Sequence, residues 1–321
     1  MGADSAFTQA LADSVLTLRQ GPLAEYKRLL ATPSGRALSP VQRSFLLAVL
    51  NLPPVPSGDF KTREQLVQFF LKSGVRVHNF DGTNLDETDL WRLVRASRAA
   101  SNAFHIPPAV LMCLTFHESS FNRTASAWTT SAKGVVQLTN GAVSDAASMI
   151  RKNPEVRKAA QAYAQELGAQ IPDSITGAPD VDALTRQIER LRADGAPAAD
   201  IRKKILERNK SISSHKDEAG HIYNLETNFG LAAIYLSGLR GRLEDVSDER
   251  KGWLTAVAAY NQGLGYAKKL IKIFGGPDGY NAQSLGGIFN ADTAAKLNLS
   301  ADRQEEMLGE VGAVRACAIP E

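Results

Sequence analysis

The segment P-P-A-V-L-M-C-L-T-F-H-E-S-S-F at residues 107–121 decides the predicted fold. The two prolines suit a helix start, because their fixed φ fits the first turn and their missing N–H has no partner there. From residue 109 to residue 116 only Thr115 is polar, so every face of such a helix would expose apolar side chains to water. We therefore predict a buried central helix that ends near Glu118, since the two serines after it favour helix ends and turns.

Glu118 lies where its surroundings alter the chemistry of a carboxyl group. A carboxylate at a helix C-terminus faces the negative end of the helix dipole, and Phe116, Phe121 and Trp128 are placed to limit its solvation. Both effects raise a glutamate pKa, and a carboxylic acid that stays protonated near neutral pH can act as a general acid. The alternative is a helix-end glutamate that points into solvent.

Composition indicates a globular, mainly α-helical protein. The chain has 321 residues and is 44% hydrophobic, which fits one large or two moderate domains. Helical periodicity dominates and alternating strand patterns are scarce. No window has the ~18 uninterrupted apolar residues of a membrane span, and residues 1–20 lack the features of a signal peptide. The net charge of +3 is modest and like charges form short blocks, so we expect neither a membrane span nor nucleic-acid binding.

Cysteine and histidine usage indicates no metal centre and no disulfide framework. The two cysteines, Cys113 and Cys317, are expected to be free thiols. The five histidines show no ligand spacing with cysteine or acidic residues, so no metal site is predicted.

Four short motifs then appear in a fixed order along the chain. They are E-S-S-F at residues 118–121, S-A-K-G-V-V-Q-L at 131–138, N-F-G-L-A-A-I-Y-L at 228–236 and A-Y-N-Q-G at 259–263. Together they resemble the signature elements of the soluble lytic transglycosylases. These relatives of goose-type lysozyme cleave the glycan strands of peptidoglycan. Val136, where relatives have methionine, and Ala232, where many have glycine, are mild departures.

This resemblance implies a lysozyme-like fold, a single catalytic residue and no cofactor. Glu118 is the catalytic acid and base that it implies. The residues that it implies for substrate binding are Ser119, Gln137, Tyr235, Tyr260 and Asn261. From the residues themselves, Tyr260 and Asn261 lie at a helix end followed by glycines, and Gln137 is a lone amide in an apolar stretch that needs polar partners.

The resemblance also divides the chain. We expect an N-terminal helical region of unknown role at residues 1–84 and a lysozyme-like domain at residues 85–275. Residues 141–224 are expected to form a helical insertion that is longer than the equivalent in compact relatives. Helices are predicted in it at residues 142–151, 154–167, 181–192 and 198–209. Residues 276–321 are a C-terminal extension. The insertion either reshapes the groove or binds a partner.

Three functions remain open at this stage. No Asp or Glu occurs between Glu118 and Asp145, which favours a one-carboxylate transglycosylase that forms 1,6-anhydro-MurNAc. The second function is a hydrolytic muramidase whose other acid comes from elsewhere, such as Asp145 or Glu226. The third is a peptidoglycan-binding module without turnover.

The substrate class sets the expected location. Peptidoglycan lies outside the cytoplasm, so we expect the protein in the periplasm or cell envelope, or secreted or delivered there. A trimmed signal, a secretion machine or a phage particle would each provide the route. An envelope or secretion-machinery protein is an expected partner besides the glycan strands.

Overall fold

The computed structural model describes residues 87–119, 121–128, 130–172 and 178–318. These residues are mainly helical and contain no β-strand, which confirms the mainly α class predicted from periodicity. The N-terminal helical region predicted at residues 1–84 lies outside the described residues.

Thirteen helices follow one another in the described part of the chain. They are α1 (Glu87–Phe104), α2 (Pro108–Ser119), α3 (Asn140–Lys152), α4 (Pro154–Leu167), α5 (Pro179–Ala193), α6 (Ala198–His215), α7 (Leu225–Gly241), α8 (Glu249–Gln262), α9 (Leu264–Ile273), α10 (Pro277–Ala282), α11 (Leu285–Ile288), α12 (Ala291–Ala295) and α13 (Ala301–Ala318).

Helices α2 and α7 form the centre of the core. The predicted burial of α2 is confirmed, since the side chains of Leu111, Met112 and Leu114 are fully enclosed and the helix packs against α1 and α13. Helix α7 packs against α1, α3, α4 and α8. Gly230 permits one of these close approaches, because a Cβ there would lie 2.5 Å from the ring of Tyr163 on α4. The packing of these two apolar helices therefore fixes the position of the polar residues at their ends.

The helices predicted inside residues 141–224 are present. Helix α4 starts as its sequence indicates, because Asn153 caps it ahead of a proline at the first turn, and Gly168 ends it with φ of 65°. Helix α6 runs to His215, beyond the predicted end at residue 209. Helices α5 and α6 pack on each other as a hairpin. This insertion hairpin is the part of the segment that reaches the groove described below.

The C-terminal extension packs into the same core as the rest of the described chain. Helix α13 packs against α2 and α8. Its buried residues Met307, Val311 and Val314 join the hydrophobic cluster that begins at Leu93. Residues 276–318 therefore contribute side chains to the same core.

The expectation of free thiols is wrong for Cys113. This residue is 2% exposed and disulfide-bonded, and no described cysteine is free. The side chain of Cys317 lies outside the described residues. None of the helices in the described ranges combines the length and apolar character that crossing a membrane requires.

Candidate functional site

A groove of about 550 Å³ opens beside the C-terminal end of α2. One side consists of Glu118, Ser119 and the loop that follows α2, including Trp128. Residues of α6 between Arg208 and Ser213, in the insertion hairpin, also line the groove. The insertion hairpin therefore contributes residues to this groove.

Among the residues that the structure describes, Glu118 is the acid that lines this groove. It keeps part of its surface exposed there, although protein atoms crowd its carboxyl group. Burial raises the pKa of Glu118 to about 8, a carboxyl contact from Glu310 opposes this rise, and the charge of Glu306 adds to it. The group is therefore protonated at neutral pH and able to donate a proton into the groove.

Glu310 is the site residue that the sequence reasoning missed. It lies on α13, is 0% exposed and interacts directly with the carboxyl group of Glu118. The approach is close enough for each acid to change the pKa of the other, yet neither Glu310 oxygen has a partner with regular hydrogen-bond geometry. The sequence did contain a signal that position 310 is buried, because this position falls in register with the apolar positions Met307, Val311 and Val314.

The turn at residues 133–138 is fixed behind the groove by side chains from three helices. Lys133 and Leu138 close it with a pair of backbone hydrogen bonds. The Asn228 amide on α7 donates to the Lys133 carbonyl at 3.0 Å and accepts from the Val136 N–H at 2.9 Å. Ser119 Oγ donates to the Val135 carbonyl at 2.5 Å. These bonds bring the first three sequence motifs into contact.

The fourth motif reaches the same turn through Tyr260. Its hydroxyl donates to the Val136 carbonyl at 2.8 Å, and its ring lies 5.5 Å from that of Tyr235. Burial raises the pKa of Tyr260 well above its usual value, and the charge of Glu118 contributes. Four motifs spread along the chain therefore converge on the turn at residues 133–138.

The residues expected to bind substrate divide into two groups. Ser119 and Gln137 line the groove, and Gln137 also donates to the Gly134 carbonyl at 2.8 Å. Tyr235, Tyr260 and Asn261 are not among the lining residues described: Tyr235 is 8% exposed, and Asn261 accepts a hydrogen bond from the neighbouring Gln262. Within the second group, Tyr260 bonds the turn and Tyr235 packs against the Tyr260 ring.

Helix α6 is anchored to the groove loop by a buried arginine. Arg208 is 3% exposed, donates to Ser126 Oγ at 2.6 Å and to Thr185 Oγ1 at 2.8 Å, and stacks 4.1 Å from the centre of the Trp128 ring. The exposed Arg192 of α5 lies 4.8 Å from the same ring. Two guanidinium groups and one indole thus join the insertion hairpin to the loop.

Neither acid named for hydrolysis lines the groove. Glu226 forms a two-point ion pair with Arg92 at 2.7 and 2.6 Å. Burial opposes ionisation of Glu226, but the hydrogen bonds and charge of Arg92 outweigh it and lower its pKa. Asp145 is exposed on α3.

The expectation that the histidines show no ligand spacing is wrong for one cluster. The side chains of His215, Glu218 and His221 bring their ligand atoms within 4.8 Å of one another. However, the two imidazole rings stack at 4.2 Å with an angle of 15°, so one ion cannot lie in both ring planes. His215 already bonds Glu218 at 2.7 Å and Asp180 at 3.2 Å. This geometry describes a hydrogen-bonded cluster that ties α6 to α5.

Comparisons with protein-family models, with curated proteins and with solved structures find no match.

Proposed function

We propose that the chain is a peptidoglycan lytic transglycosylase that cleaves the bond between MurNAc and GlcNAc. Glu118 acts as the single acid and base, and the groove between the α2 end and α6 holds the glycan strand. Neither a cofactor nor a metal takes part in the proposed reaction.

One observation carries this proposal. Glu118, a partly exposed residue whose carboxyl group is protonated at neutral pH, lines a groove whose described lining contains no other acid. An acid that must protonate a leaving oxygen needs that protonation state and that access. The resemblance of the four motifs agrees with it, because those motifs meet at the turn of residues 133–138, which Ser119 joins to the end of α2 that carries Glu118.

The reaction proceeds with one enzyme acid because the substrate supplies the nucleophile. Glu118 gives its proton to the glycosidic oxygen while the bond to MurNAc C1 breaks. The resulting carboxylate takes the proton of the MurNAc C6 hydroxyl as that oxygen bonds to C1. The product is a 1,6-anhydro ring, no water is consumed, and Glu118 ends protonated. The intramolecular hydroxyl offsets the missing second group through its high effective concentration.

Hydrolysis has weaker support. A hydrolase needs a second carboxylate across the groove to activate water or to attack the sugar. Glu226 is engaged by Arg92, and Glu310 is fully enclosed and lies outside the described groove lining. A binding module without turnover would not require a protonated acid in the groove.

A peptidoglycan substrate implies that the protein acts in the periplasm or cell envelope, or is secreted or delivered there. The disulfide at Cys113 supports this location, because disulfides persist in oxidising compartments. An envelope or secretion-machinery partner remains part of the proposal, with residues 1–84 as the candidate docking region.

The test is digestion of purified peptidoglycan by the wild type, Glu118→Gln and Glu155→Gln. Glu155 is an exposed glutamate at the start of α4, so it serves as the matched control. We expect Glu118→Gln to lower the release of soluble muropeptides by at least ~10²-fold, the size of an acid–base contribution. Its thermal midpoint should stay at or above that of the wild type. Substantial release by Glu118→Gln would overturn the assignment.

A further inference from the structure

A fully enclosed acid behind the groove acid is costly for the fold. Glu310 is 0% exposed and its oxygens lack a regular hydrogen-bond partner. Burying such a group costs free energy that an apolar side chain in the same place would not. Its neighbours in register on α13 are Met307, Val311 and Val314, so a methionine or leucine would fit the face. A costly residue at a position that favours an apolar one indicates a role in the site.

The position of Glu310 shows which role is available. It lies outside the described groove lining, so it has no contact with substrate or with an attacking water. Its interaction partner is the carboxyl group of Glu118. Two enclosed carboxyl groups in contact cannot both be ionised, because like charges in a dry site repel strongly. The more deeply buried of the two, Glu310, keeps its proton, and Glu118 is the one that titrates at the groove.

We propose that Glu310 is a positioning residue that remains protonated and donates a hydrogen bond to the Glu118 carboxylate when Glu118 releases its proton. The proposal deepens the transglycosylase reaction above and rests on it for the role of Glu118. The Glu310 proton is not transferred. Its hydrogen bond stabilises the negative charge that develops on Glu118 while the glycosidic oxygen is protonated. The carboxylate is neutralised when Glu118 takes the C6 hydroxyl proton, and the hydrogen bond to it is no longer charge-assisted.

The other titratable groups around the pair fit this arrangement. Glu306 on α13 is exposed, and its negative charge favours the protonated forms of both acids. Tyr260 on α8 and Tyr235 on α7 are neutral, since burial raises the pKa of each. The charges named as acting on the pKa values of the pair are those of acids, and they favour the protonated forms. A protonated Glu310 supplies a neutral donor for the Glu118 carboxylate.

The experiment compares wild type, Glu310→Gln and Glu310→Met by ¹³C NMR titration of the Glu118 side-chain carboxyl, assigned with Glu118→Gln. Glu310→Met removes the donor, so the pKa of Glu118 should rise from about 8. The expected rise is about one unit, as for loss of a hydrogen bond to a charged group. Glu310→Gln keeps a neutral donor and should therefore shift the pKa of Glu118 less than Glu310→Met does. A pKa that falls in Glu310→Met would show that Glu310 was ionised, and an unchanged pKa would show no contact; either result overturns the proposal.

Kinetics add a readout that a merely structural role would not move. We expect kcat of Glu310→Met to fall about 10- to 100-fold with KM unchanged, Glu310→Gln to recover part of this loss, and the thermal midpoint of Glu310→Met to rise. A lower midpoint with a raised KM would mean that Glu310 serves the fold. If the wild type releases no muropeptides, the transglycosylase proposal fails, and the titration still decides whether Glu310 donates to Glu118.

Discussion

At the residue scale, a glycine lets a side chain clamp the turn behind Glu118. Gly134 has φ of 78°, and a Cβ there would lie 2.4 Å from the Asn228 amide that binds both strands of the turn. Gly168 has a similar φ of 65°, but a Cβ at that position would meet nothing within 4 Å. The two glycines share the backbone conformation and differ in their surroundings.

We expect Gly134→Ala to lower the free energy of unfolding by about 2–4 kcal/mol, from backbone strain plus overpacking. Gly168→Ala should lower it by about 1–2 kcal/mol, from backbone strain alone. Urea denaturation followed by circular dichroism measures both. Equal losses in the two variants would mean that contact with Asn228 is not what requires glycine at position 134.

The sequence predicted Glu118 but not Glu310, for a physical reason. Glu118 follows an apolar helix, so its unusual environment is visible in its neighbours along the chain. The environment of Glu310 comes from α2, which is distant in sequence, and a single acid in an apolar register carries no signal of what faces it. Ser119 and Gln137 were predicted at the groove and line it. Their bonds to the turn follow from how α2 and the turn pack, which residue patterns do not specify.

At the scale of elements, the insertion hairpin forms one wall of the groove, and a buried arginine attaches it. Arg208 and Arg192 both lie over the Trp128 ring, but Arg208 is 3% exposed and bonds Ser126 and Thr185, while Arg192 is exposed. Substituting each of these two arginines in turn therefore separates the effect of the buried hydrogen bonds from that of the cation–π contact.

Arg208→Met should lower the free energy of unfolding by about 2–4 kcal/mol, because it strands buried polar groups. Arg192→Met should lower it by no more than about 1 kcal/mol, the value of an exposed cation–π contact. Denaturant titration of the two variants is the measurement. If both variants lose the same amount, the hairpin is not anchored through Arg208.

At this scale, the sequence predicted which segments form helices, but it did not predict the contacts between helices that set their final extent. The sequence itself marks both ends of α4, with an asparagine cap and a proline at the start and a glycine at the end. The longer extent of α6 depends on contacts of its last turn, where His215 bonds Glu218 and Asp180. Such contacts join residues from different elements, so local propensity does not reveal them.

At the scale of the whole molecule, the C-terminal helix closes the core against the helix that carries Glu118. Cys113 is disulfide-bonded, contrary to the free thiol expected. Sequence patterns indicate no pairing for two cysteines that far apart in the chain. The same packing brings Glu310 to Glu118.

Reduction of the disulfide should lower the free energy of unfolding by about 2–4 kcal/mol, since the cross-link restricts the unfolded chain. Thermal unfolding with and without reductant measures this, and Cys113→Ser should be insensitive to reductant. Two reactive thiols in the unreduced, denatured wild type would contradict the disulfide.

The most direct test of the central claim is mass spectrometry of the soluble products from purified peptidoglycan treated with the wild type. A one-acid reaction through Glu118 predicts muropeptides that end in 1,6-anhydro-MurNAc, lighter by one water than hydrolysis products, and none from Glu118→Gln. Products with a reducing end would contradict the account, because they require a second group that activates water.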